Sequence, residues 1–143
     1  MLNPQIATST DYPHLVALWD RSVRATHHFL TATDHAAIEQ ALPGYFAQVK
    51  LLKWQVGDTL VGFSGTADND LVMLFLDPTY FRCGYGHDIV QQLLTTDHIQ
   101  AVTVNAQNPG ALAFYRHEGF EIVSRSATDS DGRPYPIINL RYS

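Results

Sequence analysis

The chain has 143 residues, of which 45% are hydrophobic and 16% charged, and a formal net charge of −5. These values predict one globular domain over residues 1–143, and the acidic balance argues against a nucleic-acid partner. One cysteine excludes an intramolecular disulfide. The sequence has neither an apolar run long enough to span a membrane nor the pattern of a signal peptide, so we expect a cytoplasmic protein without a membrane partner.

The first part of the chain predicts one strand and two helices. Residues 5–8 form a short apolar-polar stretch that predicts the first strand, and the turn at residues 9–11 can cap a helix. Pro43-Gly44 is expected to end the second helix, which begins at Thr33-Asp34. The apolar face of the first helix consists of Leu15, Val16, Leu18, Trp19 and Val23.

A β-meander follows. Residues 52–56 alternate between apolar and polar, Gly57-Asp58 makes a tight turn, and residues 60–63 begin the returning strand. A second turn at residues 67–70 leads into six consecutive apolar residues, Leu71 to Leu76. A continuous apolar run of this length predicts a strand that is buried on both faces.

A short loop with two glycines, Gly84 and Gly86, separates this strand from a third helix. The first turn of a helix leaves backbone N–H groups unpaired and carries a partial positive charge. Glycines allow an anionic group to approach these N–H groups closely, so strand, loop and helix together can hold a phosphate. A simple turn explains the two glycines equally well.

The remaining elements complete a mixed sheet. Residues 102–104 alternate as a fifth strand, a fourth helix runs from Asn108 to about Glu118, and residues 120–123 and 137–140 predict the last two strands. The element order is therefore β α α β β β α β α β β. A polar loop containing Asp131-Gly132 joins the last two strands.

Two motifs resemble those of the GNAT family of N-acetyltransferases. One is Leu76-x-Pro78 followed by Gly84-x-Gly86, which is similar to the family's fourth strand and pyrophosphate loop. The other fixes five residue types over thirteen positions, Asn108, Ala111, Tyr115, Gly119 and Phe120, and is similar to the family's fourth helix. Residues 22–30 and 134–136 further resemble a small bacterial branch of that family.

The resemblance covers nearly the whole chain. It implies the GNAT α/β fold, a mixed and mostly antiparallel sheet of about seven strands flanked by four helices. It also implies transfer of an acetyl group from acetyl-CoA to a primary amine by direct attack. The amine is a small molecule, a protein lysine or an N-terminus. A non-catalytic module that binds or senses acyl-CoA is the alternative, because a shared fold does not fix a function.

The family's pyrophosphate motif begins with glutamine or arginine, whereas this chain has Phe81 there and Arg82 one place later. Arg82 either supplies the charge from its shifted position or points to solvent. Backbone N–H groups of residues 83–87 are expected to hold the phosphates in either case. The resemblance implies cofactor-binding roles for Leu74, Leu76, Arg82, Cys83, Gly84, Tyr85, Gly86, His87, Asn105 and Asn108.

The resemblance makes Tyr115 the general acid that protonates the departing thiolate, although a helix tyrosine is more often an amphipathic core residue. His27 is the best candidate for the base, since it lies at the junction that the family uses to form its acceptor wall; the alternative is a helix cap. Phe29 and Tyr135 are expected to border the acceptor. A backbone N–H near residues 75–76 can face the developing oxyanion.

Other chemistries find no support in the sequence. Cys83 has no evident base partner, which argues against an acyl-cysteine enzyme. His28 and the pair His35/Glu39 are interpreted as surface residues, and the chain lacks common metal-ligand spacings, so no metal site is expected. The identity of the amine and the oligomeric state, a homodimer included, are left open by the sequence.

Overall fold

The computed structural model describes residues 1–142. Strands and helices follow each other in the predicted order. The elements are β1 (Leu2–Ile6), α1 (Tyr12–Thr26), α2 (Ala32–Phe46), β2 (Lys50–Val56), β3 (Thr59–Ala67), β4 (Asp70–Leu76), α3 (Tyr85–Thr96), β5 (Ala101–Asn105), α4 (Pro109–His117), β6 (Phe120–Ser126) and β7 (Ile137–Tyr142). Two short 3-10 helices, Ser9–Asp11 and Pro78–Tyr80, precede α1 and the glycine loop.

The strands form one seven-stranded sheet in the order β1-β2-β3-β4-β5-β7-β6. Neighbouring strands are antiparallel except for β4 and β5, which are parallel. The predicted mixed, mostly antiparallel sheet with four helices is therefore confirmed. None of the helices within residues 1–142 is both long and apolar enough to cross a membrane.

Helices cover the sheet in two pairs, each with its own apolar cluster. Leu15, Leu18 and Trp19 of α1 pack with residues of α2 and with Phe63 of β3. A second cluster joins Ile89 of α3 and residues of α4 to the central strands. Because the two clusters use different residues of the same strands, the sheet is held from both sides.

The first strand and the second helix have boundaries that differ from those predicted. The first strand is β1, Leu2–Ile6, because Thr8 has already left the sheet. Thr8 is the N-cap of the short helix before α1, and the side chain of Asp11 accepts a hydrogen bond from the N–H of Thr8. The second helix begins at Ala32 and continues through Pro43 to Phe46. Leu42 and Phe46 are 3% and 1% exposed, so burial of the last turn outweighs the helix-breaking tendency of Pro43.

Candidate active site

A cleft opens between β4 and β5, where two parallel strands separate. They pair only at Asp70 with Ala101 and at Leu71 with Val102. The prediction that β4 is buried on both faces is wrong, since Val72 is 46% exposed and the residues after it are only partly buried. The long apolar run of β4 lines a cleft instead of filling a core.

A β-bulge accompanies the separation. On the β3 side, Met73 lies opposite Gly65 and Leu71 lies opposite Thr66, so Val72 has no partner residue. A bulge bends its strand and increases its twist. Beyond Leu71 the backbone of β4 has no strand partner towards β5 within residues 1–142, and its polar groups on that side are available to a bound molecule.

The cleft has a volume of about 750 Å³ and is lined by five parts of the chain. These are the end of α1, most of β4, the glycine loop, β5 and one face of α4. Most of the predicted site residues share this lining. They are His27, Leu74, Leu76, Arg82, Gly84, Gly86, His87, Asn105, Asn108 and Tyr115.

The glycine loop presents backbone N–H groups to the cleft. Gly84 adopts a left-handed conformation with φ of 85°, and its carbonyl oxygen accepts the first hydrogen bond of α3, from the N–H of Asp88 at 3.1 Å. The preceding N–H groups, of Tyr85, Gly86 and His87, have no backbone acceptor within residues 1–142. Unpaired N–H groups at a helix start are suited to phosphate oxygens.

Gly86 also keeps the loop open. A Cβ atom placed there would lie 3.3 Å from Cζ of Phe114 and 3.6 Å from Cδ1 of Leu76. A side chain at this position would therefore crowd the cleft wall between α3, α4 and β4. The loop at Gly86 and the open edge of β4 together fit the phosphates and the amide-containing arm of a coenzyme A molecule.

The remaining loop residues differ in whether they line the cleft. Arg82 lines the cleft with an exposed side chain and has a left-handed backbone with φ of 63°. Phe81 is partly buried in the lining. The side chains of Cys83 and Tyr85 lie outside the lining, and the Sγ atom of Cys83 is 3.6 Å from the carbonyl oxygen of Phe81. For these last two residues only the backbone can serve the predicted role.

His87 pairs with a buried carboxylate. Its Nδ1 atom lies 2.8 Å from both Oε1 and Oε2 of Glu118, whose side chain is 2% exposed. The hydrogen bond to Glu118, together with the charge of Glu118, raises the pKa of His87 above its usual range. The charge of Asp88 adds to the effect. His87 is thus favoured in its protonated form.

Tyr115 is the largest polar side chain in the wall of the cleft. It is 7% exposed and packs edge to face against Phe114 and Phe120, with ring centroids 5.0 and 5.7 Å apart. Burial raises the pKa of Tyr115 well above that of a free phenol, so its hydroxyl stays protonated at physiological pH. Within residues 1–142, no side chain accepts or donates a hydrogen bond at this hydroxyl. Tyr115 can therefore direct its proton to a bound molecule.

His27 follows α1 and contacts a threonine hydroxyl. The Thr26 hydroxyl donates to the carbonyl oxygen of Ser22 at 2.9 Å, and it lies 2.7 Å from Nδ1 of His27. With the hydroxyl proton directed at Ser22, the tautomer assigned to His27 is the one in which Nδ1 donates to Thr26. The other ring nitrogen, Nε2, is left with a lone pair. Burial, followed by the charge of His28, lowers the pKa of His27 to about 4, so the ring is neutral at physiological pH.

Asn108 and Asn105 both hold local backbone. The Oδ1 atom of Asn108 accepts a hydrogen bond from the N–H of Ala111 at 3.2 Å and caps α4. The Oδ1 atom of Asn105 accepts from the N–H of Gln107 at 2.9 Å. Their oxygen atoms are thus engaged within the chain, and the amide N–H₂ groups are what they can offer to the cleft.

Phe29 and Tyr135 lie beside the cleft lining and connect it to the start of α2. The rings of His27 and Phe29 are 5.2 Å apart, and those of Phe29 and Tyr135 are 5.9 Å apart. Tyr135 is buried, donates a hydrogen bond to Asp34 and accepts one from the N–H of Thr31 at 3.4 Å. Tyr135 therefore joins the loop between β6 and β7 to α2.

One pair was misjudged from the sequence. His35 is not a free surface residue: its side chain is 13% exposed, stacks on Trp19 at 4.9 Å, and its Nε2 atom lies 2.6 Å from Oδ1 of Asp20. Glu39 joins this group, and the three residues have polar atoms within 4.8 Å of one another. Arg24 donates to the same Oδ1 atom at 2.9 Å, so an arginine already satisfies the carboxylate.

Two contributors to the cleft were missed. Glu118 is 31 positions from His87, and no local pattern in the sequence predicts a hydrogen bond between residues so far apart. Thr26 had a visible signal, because Ser22 and Thr26 are four residues apart, the spacing at which a helix threonine bonds to a backbone carbonyl. This bond supports the assignment of the Nδ1–H tautomer to His27.

Comparison with known proteins agrees with the fold. Residues 18–135 match the family model described as an acetyltransferase (GNAT) domain. The chain is 36% identical to the peptidyl-lysine N-acetyltransferase YjaB of Escherichia coli strain K12 over 129 residues, which cover 90% of this chain and 88% of YjaB.

Solved structures show the same similarity. The solution structure of apo-form YjaB from Escherichia coli aligns with a TM-score of 0.91 and 33% identity over 99% of this chain and 97% of that one. The PaiA N-acetyltransferase of Thermoplasma acidophilum, solved in complex with coenzyme A, aligns with a TM-score of 0.70 and 18% identity over 99% of each chain. At that identity, the second comparison shows a shared fold.

The matched family model covers more than half of the chain, and the relative at 36% identity is covered over most of its length. An open edge of β4 beside unpaired N–H groups at the start of α3 is the arrangement this family needs to hold its acyl donor. The chain therefore belongs to the GNAT family and is an N-acetyltransferase that moves an acetyl group from acetyl-CoA to an amine.

Proposed function

We propose that the amine acceptor is a lysine side chain of a protein or peptide. The relative at 36% identity is named a peptidyl-lysine N-acetyltransferase, and it is similar to this chain over nearly its whole length. The observation that carries the proposal is a single cleft lined by unpaired loop N–H groups, by the buried hydroxyl of Tyr115 and by the neutral ring of His27.

The charge near His27 suits a cationic acceptor. The ring stack from His27 through Phe29 to Tyr135 leads to Asp34. Arg133 lies within 4 Å of Asp34 and also contacts Asp129 and Asp131, so one cation there faces three carboxylates. Such a surface attracts a protonated lysine and its basic neighbours.

Acetyl-CoA fits the cleft in one direction. Its phosphates are assigned to the N–H groups of Gly84, Gly86 and the neighbouring loop residues, at the start of α3. The arm that carries the thioester is assigned to the open edge of β4, along Leu74 and Leu76, through backbone groups. The bound donor supplies an activated acyl group, and the residues of the cleft supply position and protons.

Tyr115 acts as the general acid. Attack of the amine nitrogen on the acyl carbon forms a C–N bond and breaks the C–S bond, which leaves a thiolate that must take a proton. Burial raises the pKa of Tyr115 and so keeps the proton on its hydroxyl until the thiolate forms. The phenol is the weaker acid of the pair, and burial of the thiolate against the same apolar wall narrows the difference between the two pKa values. The new amide nitrogen gives up one proton, and the phenolate regains it through solvent.

His27 receives a hydrogen bond from the amine. Its Nε2 lone pair is available because Nδ1 donates to Thr26. With a pKa of about 4, the ring is a weak base, so the ammonium proton passes to water and His27 positions the neutral amine. Burial keeps His27 from carrying a charge that would repel a cationic acceptor.

Three further properties belong to the proposal. Both apolar clusters pack on one sheet, which supports a single catalytic domain over residues 1–143. A cytoplasmic location is consistent with the absence of any membrane-spanning helix among residues 1–142. The homodimer that the sequence allows stays a prediction.

The test is turnover with a lysine peptide. The protein is incubated with acetyl-CoA and a lysine-containing peptide, and free thiol and peptide mass are measured together. Equal amounts of thiol and acetylated peptide are expected, with no reaction for a peptide in which lysine is replaced by glutamine. Binding of acetyl-CoA without thiol release towards any amine would favour the sensing module instead.

A further inference from the structure

Binding of acetyl-CoA as proposed, on which this inference rests, brings its pyrophosphate to the loop side of the cleft. The family's motif has a glutamine or arginine side chain where this chain has Phe81. Phe81 is partly buried in the lining and has no polar atom to offer a phosphate. The loop must obtain its side-chain charge elsewhere or bind with backbone alone.

His87 has the geometry to supply that charge. Its Nδ1 atom is committed to both carboxylate oxygens of Glu118 at 2.8 Å, and its side chain is 55% exposed in the cleft lining. Within residues 1–142 no protein group bonds to its Nε2 atom. The Nδ1 atom of the ring is therefore bound to Glu118, and the Nε2 atom is free to bind a ligand. His87 is the third residue of α3.

Glu118 has little reason to be buried unless it is paired. An ionised carboxylate that is 2% exposed is costly without partners. Its partners are the Nδ1 atom of His87, the amide of Gln91 at 3.3 Å and the Nδ1 atom of His117 at 3.7 Å. Of the two histidines, His87 makes the shorter contact, so it is the one that the carboxylate orients and holds protonated.

We propose that the imidazolium of His87, positioned by Glu118, donates from Nε2 to the pyrophosphate of acetyl-CoA. His87 thus replaces the side chain that Phe81 cannot provide. Since a charge-assisted hydrogen bond is stronger than a neutral one, the affinity for acetyl-CoA depends on whether this ring is protonated. Glu118 is a positioning residue and does not touch the cofactor.

The direction of the pH effect follows from the groups around His87. Glu118 and Asp88 favour the imidazolium, and Arg82 and His117, which share the cleft, oppose it when charged. The ring is protonated below its raised pKa and neutral above it. As the pH rises through that value, the phosphate loses a donor and faces the uncompensated carboxylate of Glu118. Affinity therefore falls as the pH increases.

The experiment measures binding by calorimetry between pH 6 and pH 9. Dephospho-coenzyme A is the probe beside acetyl-CoA, because it lacks the phosphomonoester that itself titrates near pH 6. Wild-type affinity for both is expected to fall by about 10- to 100-fold over this range. His87→Gln should bind weakly at every pH, with the slope removed. His14→Gln, an exposed histidine on α1 outside the cleft, is the matched control and should keep the wild-type profile.

Glu118→Gln separates the two parts of the proposal. It keeps the shape of the side chain and a hydrogen-bonding oxygen while removing the charge, so the midpoint of the pH profile should move to lower pH. The ring pKa of His87, followed by NMR in wild type and Glu118→Gln, gives the same shift without a binding step and also reports whether the variant is folded.

The outcomes distinguish this inference from the proposed function. Wild-type turnover with a lysine peptide, together with wild-type affinity and slope in His87→Gln, would overturn the role of His87 and leave the acetyltransferase proposal intact. Failure of the wild-type protein to bind acetyl-CoA at any pH would overturn both.

Discussion

Two groups of side chains face the same cleft and differ in the protonation states that their surroundings favour. The uncharged group consists of Ser22, Thr26, His27 and Tyr115, and the charged group consists of Arg82, His87, His117 and Glu118. Each group contains one histidine with a shifted pKa: that of His27 is lowered by burial, and that of His87 is raised by Glu118. The surroundings thus favour the neutral form of this side chain in one place and its protonated form in the other.

The difference matches the chemistry that is proposed for each group. Acyl transfer needs a neutral amine and a proton donor, and burial of His27 and Tyr115 suppresses charge on both. The proposed phosphate binding needs positive charge that remains in contact with water, and Glu118 favours such a charge on the exposed ring of His87. Each variant below changes one group and leaves the other as a reference.

Tyr115→Phe should have the largest effect. Removing the hydroxyl leaves the edge-to-face packing with Phe114 and Phe120 in place and removes the proposed proton donor to the thiolate. We expect the turnover rate to fall by about 10²- to 10⁴-fold, the usual contribution of a general acid. Thiol release gives the rate, and calorimetry should give an unchanged affinity for acetyl-CoA.

Tyr12→Phe is the matched control for this variant, since Tyr12 packs on Phe46 outside the cleft. Its turnover should equal that of the wild type. A Tyr115→Phe enzyme with full activity would show that the thiolate takes its proton from water and that Tyr115 is a packing residue.

His27→Gln tests whether burial sets the neutral state of the uncharged group. The pKa of His27 is about 4 in the folded protein against 6.5 for a free histidine, so the unfolded chain binds a proton first as the pH falls. Stability should therefore decrease between about pH 6.5 and pH 4, by up to about 3 kcal/mol. His27→Gln should lose this part of the slope.

Urea unfolding at several pH values gives the measurement, with His14→Gln as a control that retains the slope. An acid slope that is identical in wild type and His27→Gln would mean that His27 is not desolvated. The kcat/KM profile of the wild type should also lack an inflection from His27 near pH 6.5, since the ring is already neutral there.

The contrast between the groups also marks how far the sequence can be interpreted. Apolar patterns together with turn and cap residues predicted the order of the helices and strands within residues 1–142, because each of these signals is local in the sequence. The end of α2 was misplaced because burial of Phe46 depends on contacts distant in sequence. The same reason explains β4, whose apolar side chains were expected to be buried on both faces.

The site shows the same division. Residues placed by a motif, such as Tyr115 and Gly86, lie in the cleft lining together. The states of those residues depend on partners that no motif records: Thr26 contacts Nδ1 of His27, and Glu118 favours the protonated form of His87. A sequence can therefore indicate which groups meet more readily than it can indicate their protonation.

Tyr135→Phe tests the hydrogen bond between Tyr135 and Asp34, which lies next to the uncharged group. The Tyr135 hydroxyl is buried and donates to the carboxylate of Asp34, so its removal should cost about 1.5–3 kcal/mol of unfolding free energy. The ring and its stack on Phe29 remain. The KM for a lysine peptide should therefore change little, while the midpoint of urea unfolding falls.

Tyr45→Phe is the matched control, because Tyr45 also donates to a carboxylate, that of Asp131 at 2.7 Å, but at an exposed position. It should cost about 0.5–1 kcal/mol or less. A rise in KM for Tyr135→Phe with unchanged stability would reverse the assignment and make the hydroxyl a direct acceptor contact.

Gly86→Ala should have the smallest effect, confined to the charged side of the cleft. Its Cβ would lie 3.3 Å from Cζ of Phe114, a contact that the ring can relieve by moving a few tenths of an ångström. Since the loop N–H groups stay in place while the space for the phosphates narrows, the affinity for acetyl-CoA should weaken by about tenfold.

Gly44→Ala on α2 is the matched control, since nothing lies within 4 Å of the added atom. It should bind acetyl-CoA normally while gaining about 0.5–1 kcal/mol of stability. Equal affinities in the two variants would mean that the phosphates do not approach α3 at Gly86, and the cofactor would have to lie further along the open edge of β4.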